Sequence, residues 1–291
     1  MKILLTGATG FIGSALAASL SAEGHEVVGL GRDLASFLET TAATPSPAPG
    51  PFAAVIHLAG QSIAGRWTPE RKAALRSSRV ELTRRLCEWL AAREPRPGTL
   101  ICASAVGYYG DRSEETVDED SPAGTGFLAD LCRDWEGAAA PARAVGLRVV
   151  HLRFGIVLDA RGGALARMLP LFRLGLGGRI GSGRQWWAWI SLDDALGVIR
   201  RALTDGALAG PLNVVAPAPV TNSEFTRALA AAVRRPAILP APAWSLRLVF
   251  GEMADQTLLA STRAVPTRLQ AAGFAFRHPE LCAALRRLLA G

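Results

Sequence analysis

Lysine is nearly absent from this chain. Lys2 and Lys72 are the only two, so the formal net charge of +7 rests on arginine. The arginines are interspersed with apolar residues, and no basic run or basic–aromatic ladder of the nucleic-acid kind is present. The charge is therefore expected to be a solvated surface plus sites for phosphorylated ligands, with neither nucleic acid nor a membrane as partner. No uninterrupted apolar stretch reaches the length of a membrane span. The apolar start Met1–Leu5 is too short for a signal-peptide core and runs into a glycine turn, as in a cytoplasmic protein. Cysteine is scarce too. Cys87, Cys102, Cys132 and Cys282 form no CxxC or CxxH pattern, and three lie in apolar segments, as reduced buried thiols do. His25, His57, His151 and His278 stand singly, so no metal site is expected, and no Ser-His-Asp arrangement is visible. Tyrosine is limited to Tyr108 and Tyr109.

What the chain does have is apolar content, 49% of 291 residues, enough for a full core in one large α/β domain or a main domain with an appendage. Lys2–Leu5 and Glu26–Leu30 read as strands flanking a helix over Phe11–Ala22, whose period is carried by Ile12, Leu16 and Leu20. A Pro/Ala/Thr/Ser stretch between Thr40 and Pro51 reads as an irregular linker. Strands follow at Ala53–Leu58, Thr99–Ser104 and Leu147–Phe154. Between them fall a long helix from Pro69 to about Ala92, with Thr68 as N-cap, and another over Gly126–Ala144. The alternation predicts an α/β fold: a doubly wound parallel sheet of the Rossmann kind, with a smaller, mostly helical C-terminal substrate lobe. The division expected is 1–160 with 186–220 for the cofactor domain, and 161–185 with 221–291 for the lobe.

The densest signal is Thr6-Gly7-Ala8-Thr9-Gly10-Phe11-Ile12-Gly13, a G-x-x-G-x-x-G loop between strand and helix. Gly7 permits the tight turn, Gly10 lets backbone amides approach a pyrophosphate, and Gly13 lets the helix pack against the strand. Thr9, Phe11 and Ile12 complete that site. An NAD-binding protein places an acid at the end of the second strand for the ribose hydroxyl, but here the run is Gly29-Leu30-Gly31-Arg32-Asp33. Arg32 meets a 2′-phosphate, which points to NADP; the competing arrangement gives the ribose to Asp33. His57-Leu58-Ala59-Gly60 closes the third strand with small residues suited to the adenosine half, and His57 reads as a packed strand histidine.

Ordered segments along the chain extend the pattern: Leu58-Ala59-Gly60, Arg66-Trp67-Thr68 with Lys72, Ser78-Arg79-Val80, and Ser104 through Gly110. Later come Phe127-Leu128-Ala129, Trp135-Glu136, Gly175 through Gly183, Trp189-Ile190 with Asp193-Asp194, Val220 through Phe225, Gly251 through Ala254, and Gly273-Phe274. In these the chain resembles the extended short-chain dehydrogenase/reductases. More narrowly, it resembles the atypical nucleoside-diphosphate-sugar-epimerase-like proteins that carry a small C-terminal domain of unknown function. The resemblance implies that Gly31, Arg32, Leu58, Ala59 and Arg79 line an NADP site and that Val157 lies near the nicotinamide.

The superfamily's hydride chemistry uses a serine or threonine, a tyrosine and a lysine four residues later on one helix, the lysine lowering the tyrosine pKa. Counting back from Glu136, the resemblance puts Leu128 at the tyrosine position and Cys132 at the lysine position. Neither does that work. Ser104 matches the superfamily's serine, and Tyr108 or Tyr109 is left as a surrogate acid, with packing or substrate contact as the alternative role. The acidic stretch Glu114, Glu115, Asp118, Glu119, Asp120 reads as a solvated loop. Arg161, Arg167, Arg173, Arg179 and Arg184, with no acid among them, fall in the region that binds substrate in extended members, which suits an anionic molecule. Two functions follow: an NADP-dependent oxidoreductase or epimerase-like enzyme on a small anionic or carbonyl substrate, or an NADP(H)-binding sensor without hydride transfer. A homodimer is left open.

Overall fold

Short apolar runs punctuated by glycine become the strands of one parallel sheet. The computed structural model describes residues 1–31, 33–43 and 51–290. From the N-terminus come β1 (Lys2–Thr6), α1 (Phe11–Ala22), β2 (Glu26–Leu30), α2 (Leu34–Ala43) and β3 (Ala54–His57). A long helix follows in three pieces: α3 (Pro69–Arg76), a π-helical turn (Ser77–Glu81) and α4 (Leu82–Ala91). Thr68 caps it by accepting from the Arg71 N–H, and Pro69 fills the first turn, where its missing N–H costs nothing. Then come β4 (Thr99–Ala105), a 3₁₀ turn (Val106–Tyr109), β5 (Thr116–Val117), α5 (Phe127–Gly137), α6 (Ala140–Ala144) and β6 (Arg148–Phe154).

The second half holds β7 (Ile156–Asp159), α7 (Gly163–Arg173), β8 (Trp186–Trp187), β9 (Trp189–Ser191), α8 (Leu192–Thr204), β10 (Gly210–Val214), β11 (Val220–Thr221) and α9 (Asn222–Val233). It ends with α10 (Ala243–Phe250), a π-helical turn (Ala254–Leu258), β12 (Arg263–Ala264), α11 (Thr267–Ala271) and α12 (Leu281–Leu289). The main sheet runs β10-β6-β4-β3-β1-β2, all parallel. Ile3, Leu5, Ile56 and Ile101 face a core shared with α1 and α8; Leu4, Val55, Leu100 and Cys102 face α2, α4 and α6. Buried on both faces, these strands are apolar throughout, as a doubly wound sheet requires.

A third core joins Leu158, Leu165, Phe172, Trp187, Trp189, Phe225 and Leu285, so α7, α9 and α12 close over the tryptophans as a lobe of their own. Two expectations change. The helix over Gly126–Ala144 is broken between Gly137 and Ala140, where Pro141 in the first turn of α6 cannot donate to a continuing ladder. The linker expected from Thr40 begins later, because α2 runs to Ala43; its residues 44–50 lie outside those described. No helix among the described residues is long and apolar enough to cross a membrane.

Candidate functional site: a glycine-walled cleft

At the carboxyl ends of β1, β2 and β3 lies a cavity of about 590 Å³, walled by Gly7, Thr9, Gly10, Gly31, Leu58, Ala59 and Gly60 on the strand side. Backbone pairing fixes this wall: the Ala8 N–H donates to Leu30 O at 3.1 Å and the Leu58 N–H to Thr6 O at 3.1 Å. Two glycines are required by geometry. Gly7 has φ +73°, and a Cβ there would stand 2.7 Å from the Leu58 carbonyl carbon. At Gly13 a Cβ would meet Gly7 O at 2.1 Å. Gly10 caps α1 with no side-chain hydrogen bond, so the first-turn amides of α1 face outward with no side-chain acceptor, an arrangement suited to an anion. Phe11 lines another cavity of about 410 Å³, which shares Thr9 and Gly10 with the first and is also lined by Asp159, Arg161 and Gly162.

The opposite wall comes from the long helix. Arg71, Ser78 and Leu82 line the cleft, with Gln61 and Ser62 from the loop after β3. Arg71 holds that loop by donating to the Ser62 carbonyl and, at 3.2 Å, to Gln61 Oε1. The π-helical turn carries Arg79, only 8% exposed, whose Nη2 donates to Gln61 O at 2.7 Å. Its guanidinium lies 5.1 Å over the Trp135 ring and would touch a Cβ on Gly60 at 3.3 Å. Among the described residues no carboxylate pairs with it, and burial pushes its pKa down to about 10. A buried cation without a counter-charge, packed against the Gly60–Gln61 wall of a cavity, is suited to draw an anion there.

The matches to known proteins follow this anatomy. Residues 3–215 match the model of the NAD dependent epimerase/dehydratase family, and residues 241–288 match a domain of unknown function.

The chain belongs to the NAD dependent epimerase/dehydratase family.

It is similar to the epimerase family protein Mb2239 of Mycobacterium bovis, 46% identical, with 97% of this chain and 96% of that one covered. To the human epimerase family protein SDR39U1 it is 37% identical over the full length of both chains. The crystal structure of human SDR39U1 with NADPH superposes with a TM-score of 0.91 at 35% identity, covering 100% of each chain.

In this family member the residues expected to replace the catalytic pair lie in the core. Leu128 and Cys132 are buried with Trp67, Leu75 and Met253, and burial pushes the Cys132 thiol up to about 12. Ser104 is buried, and its hydroxyl donates to Glu136 Oε1 at 2.7 Å. Glu136 also receives both arms of Arg153, Nε at 2.8 Å and Nη2 at 2.9 Å. Arg153 Nη1 donates to the Tyr109 hydroxyl at 2.9 Å, and that hydroxyl donates to Asn213 Oδ1 at 2.7 Å. Tyr109 is therefore fully enclosed, and burial pushes it up to about 12, far from a neutral-pH acid. Tyr108 differs. It is half-buried, its hydroxyl has no partner among the described residues, and the Arg153 guanidinium lies 3.6 Å from its ring centroid.

Four further placements bear on the sequence reading. His57 is a packed strand histidine, with Nδ1 2.6 Å from Thr6 Oγ1 and Nε2 2.9 Å from Thr83 Oγ1, and burial pushes it down to about 4. Glu119, expected in a solvated loop, is instead buried, accepting the Asn213 N–H at 3.0 Å and thereby anchoring β10. Val157 sits in the core, paired to Ile190 across β7 and β9, and Ile12 is partly buried and packs against that core. Arg32 lies outside the described residues. Arg71 and Leu82 escaped the sequence reading, and Ser78 entered it only as part of a family segment, although their spacing puts all three on one helical face with Leu75.

Proposed function

We propose that the cleft binds NADP(H) and that the protein is an NADP-dependent oxidoreductase or epimerase-like enzyme acting on a small anionic or carbonyl substrate. The observation that carries the cofactor half is the cradle: backbone approaches at Gly7 and Gly13 that any side chain would block, beside a buried arginine with no carboxylate. The likeness to SDR39U1, crystallised with NADPH, supports the same reading. In this assignment the α1 amides and Arg79 take the pyrophosphate, Arg71 fixes the Gln61–Ser62 wall, and Gly31 with Arg32 takes the ribose phosphate. When bound, NADP(H) supplies a hydride donor or acceptor. Residues 1–160 and 186–220 form the cofactor half, and 161–185 with 221–291 the substrate lobe.

Of the three hydroxyls singled out, Tyr108 is the one free to give or take a proton. Ser104 commits its proton to Glu136, and Tyr109 commits its own to Asn213. The second reading, an NADP(H)-binding sensor without hydride transfer, is favoured by Leu128 and Cys132 being buried where the resemblance places the catalytic pair. Purified protein with NADPH and a panel of carbonyl compounds separates the two. Substrate-dependent loss of the near-ultraviolet absorbance of the reduced nicotinamide, abolished in Tyr108→Phe, supports the enzyme. Tight binding with no turnover across the panel supports the sensor.

A further inference from the structure

Eight of the ten exposed large apolar side chains among the described residues fall between Leu171 and Val249. They sit on three elements joined by backbone. Leu171 lies on α7, with Leu174 and Leu176 just after it; Ile238 and Leu239 occupy the segment before α10; Trp244, Leu248 and Val249 project from α10 itself. The segments interlock: Leu176 bridges Ala237, Leu239 N–H donates to Gly177 O at 3.1 Å, and Ile180 bridges Ala241. α10 has no buried residue, although its sequence is AWSLRLVF. Ile238, Trp244 and Leu248 are 74%, 69% and 70% exposed, so these side chains stand proud of the surface.

Within this apolar region opens a second cavity, of about 520 Å³, lined by Arg179, Arg227, Ser223 and Thr226 with Ile238 and Pro240. Arg179 and Arg227 are in no salt bridge among the described residues. Thr226 is only 6% exposed, and its hydroxyl has no partner among the described residues. The nearest carboxylate on α9, Glu224, is engaged in capping Thr221. Arg173, Arg234 and Arg235, all exposed, border the same region without an acid partner.

We propose that this face docks on an anionic phospholipid bilayer, with a headgroup phosphate in the Arg179–Arg227 cavity and Ile238, Leu239, Trp244 and Leu248 in the interfacial layer. Protruding tryptophan and aliphatic side chains flanked by arginine are what an interfacial contact requires, and the charge is complementary to anionic lipid. A second copy is disfavoured as occupant: a two-fold contact on this face sets unpaired arginines of one protomer against those of the other. The inference is independent of the dinucleotide cleft, and it departs from the sequence expectation that no membrane is a partner.

Sedimentation of the full chain with vesicles tests it. Binding is expected to vesicles of phosphatidylcholine with phosphatidylglycerol and not to phosphatidylcholine alone. Arg179→Gln with Arg227→Gln should weaken binding roughly twenty-five-fold, since each arginine at an anionic surface contributes a factor of about five. Trp244→Ser with Leu248→Ser should weaken it about tenfold or more. All four side chains are exposed, so the variants keep the fold, checked by an unchanged melting temperature. Added inorganic phosphate should compete only weakly. No sedimentation with anionic vesicles, equal binding of both vesicle types, or variants that bind like the parent would each overturn the proposal. So would a dimer in analytical ultracentrifugation that Trp244→Ser with Leu248→Ser dissociates.

Discussion

Arg79 is the buried cation packed against the Gly60–Gln61 wall of the cleft. It is buried without a carboxylate, so removing it takes an uncompensated cation out of the interior. Arg79→Met should therefore leave the apo melting temperature unchanged or raise it, while weakening NADPH binding by about 1.5–3 kcal/mol, the contribution of a charged hydrogen bond. Loss of apo stability with intact NADPH affinity would assign Arg79 to the scaffold. Glycine separates shape from conformation in the same way. Gly7 and Gly24 both hold positive φ, +73° and +81°, but only at Gly7 would an added Cβ meet backbone within 4 Å. Gly24→Ala should cost about 1 kcal/mol and spare NADPH binding, whereas Gly7→Ala should cost about 3 kcal/mol and abolish it. Urea unfolding and calorimetric titration read the two effects. The glycines were legible in the sequence because their spacing is a backbone requirement. Arg71 and Leu82 were not, because a surface-facing helical residue and a cleft-facing one look alike until the loop after β3 is placed opposite them.

His57 and His151 make the fold sensitive to acid. Both are held down to about 4 by burial, from an ordinary value of 6.5. Between those values the unfolded chain binds protons that the folded chain does not, so stability falls as pH drops from 6.5 to 4 and is fully present above 6.5. The loss is on the order of 3 kcal/mol per histidine at most. Urea midpoints across that range should decline, and His57→Gln should flatten the slope. An unchanged midpoint down to pH 4 would mean that these rings are protonated in the fold.

At the scale of elements, β4, α5, β6 and β10 are tied together by one buried polar chain running Ser104, Glu136, Arg153, Tyr109, Asn213. Its centre is an ion pair with Arg153 3% and Glu136 13% exposed. Glu136→Gln leaves the arginine buried without its counter-charge and should cost about 3–5 kcal/mol, while Tyr109→Phe should cost about 1–2 kcal/mol. Equal, small effects in urea unfolding would show the chain to be solvated. The strands were readable because each is a short apolar run ended by glycine or a polar turn. The network was not: Ser104 and Tyr109 have the residue types of a catalytic site, and only the packing of α5 against β4 and β6 shows that their protons are spent inside the protein. The helix break at Ala138 and Ala139 has a local cause instead: Pro141 follows too soon for one continuous ladder.

For the molecule as a whole, two hydrophobic layers sandwich the parallel sheet, and a third core under α7, α9 and α12 supports the surface that bears the exposed apolar side chains. The strand–helix alternation announced the first two cores. The lobe was legible only as a change of rhythm after Asp159, because its tryptophans take their partners from segments as far apart as α7 and α12. Family membership and the sheet agree on where a dinucleotide belongs, since ligands of such sheets lie outside the carboxyl ends of the strands.

The most direct test is calorimetric titration of the purified chain with NADPH and with NADH. NADPH should bind at least about tenfold more tightly, through charge-assisted contacts of Arg32 with the ribose phosphate, and Arg32→Glu should erase the preference. Equal affinities in the unaltered protein, or no binding of either nucleotide, would contradict the account.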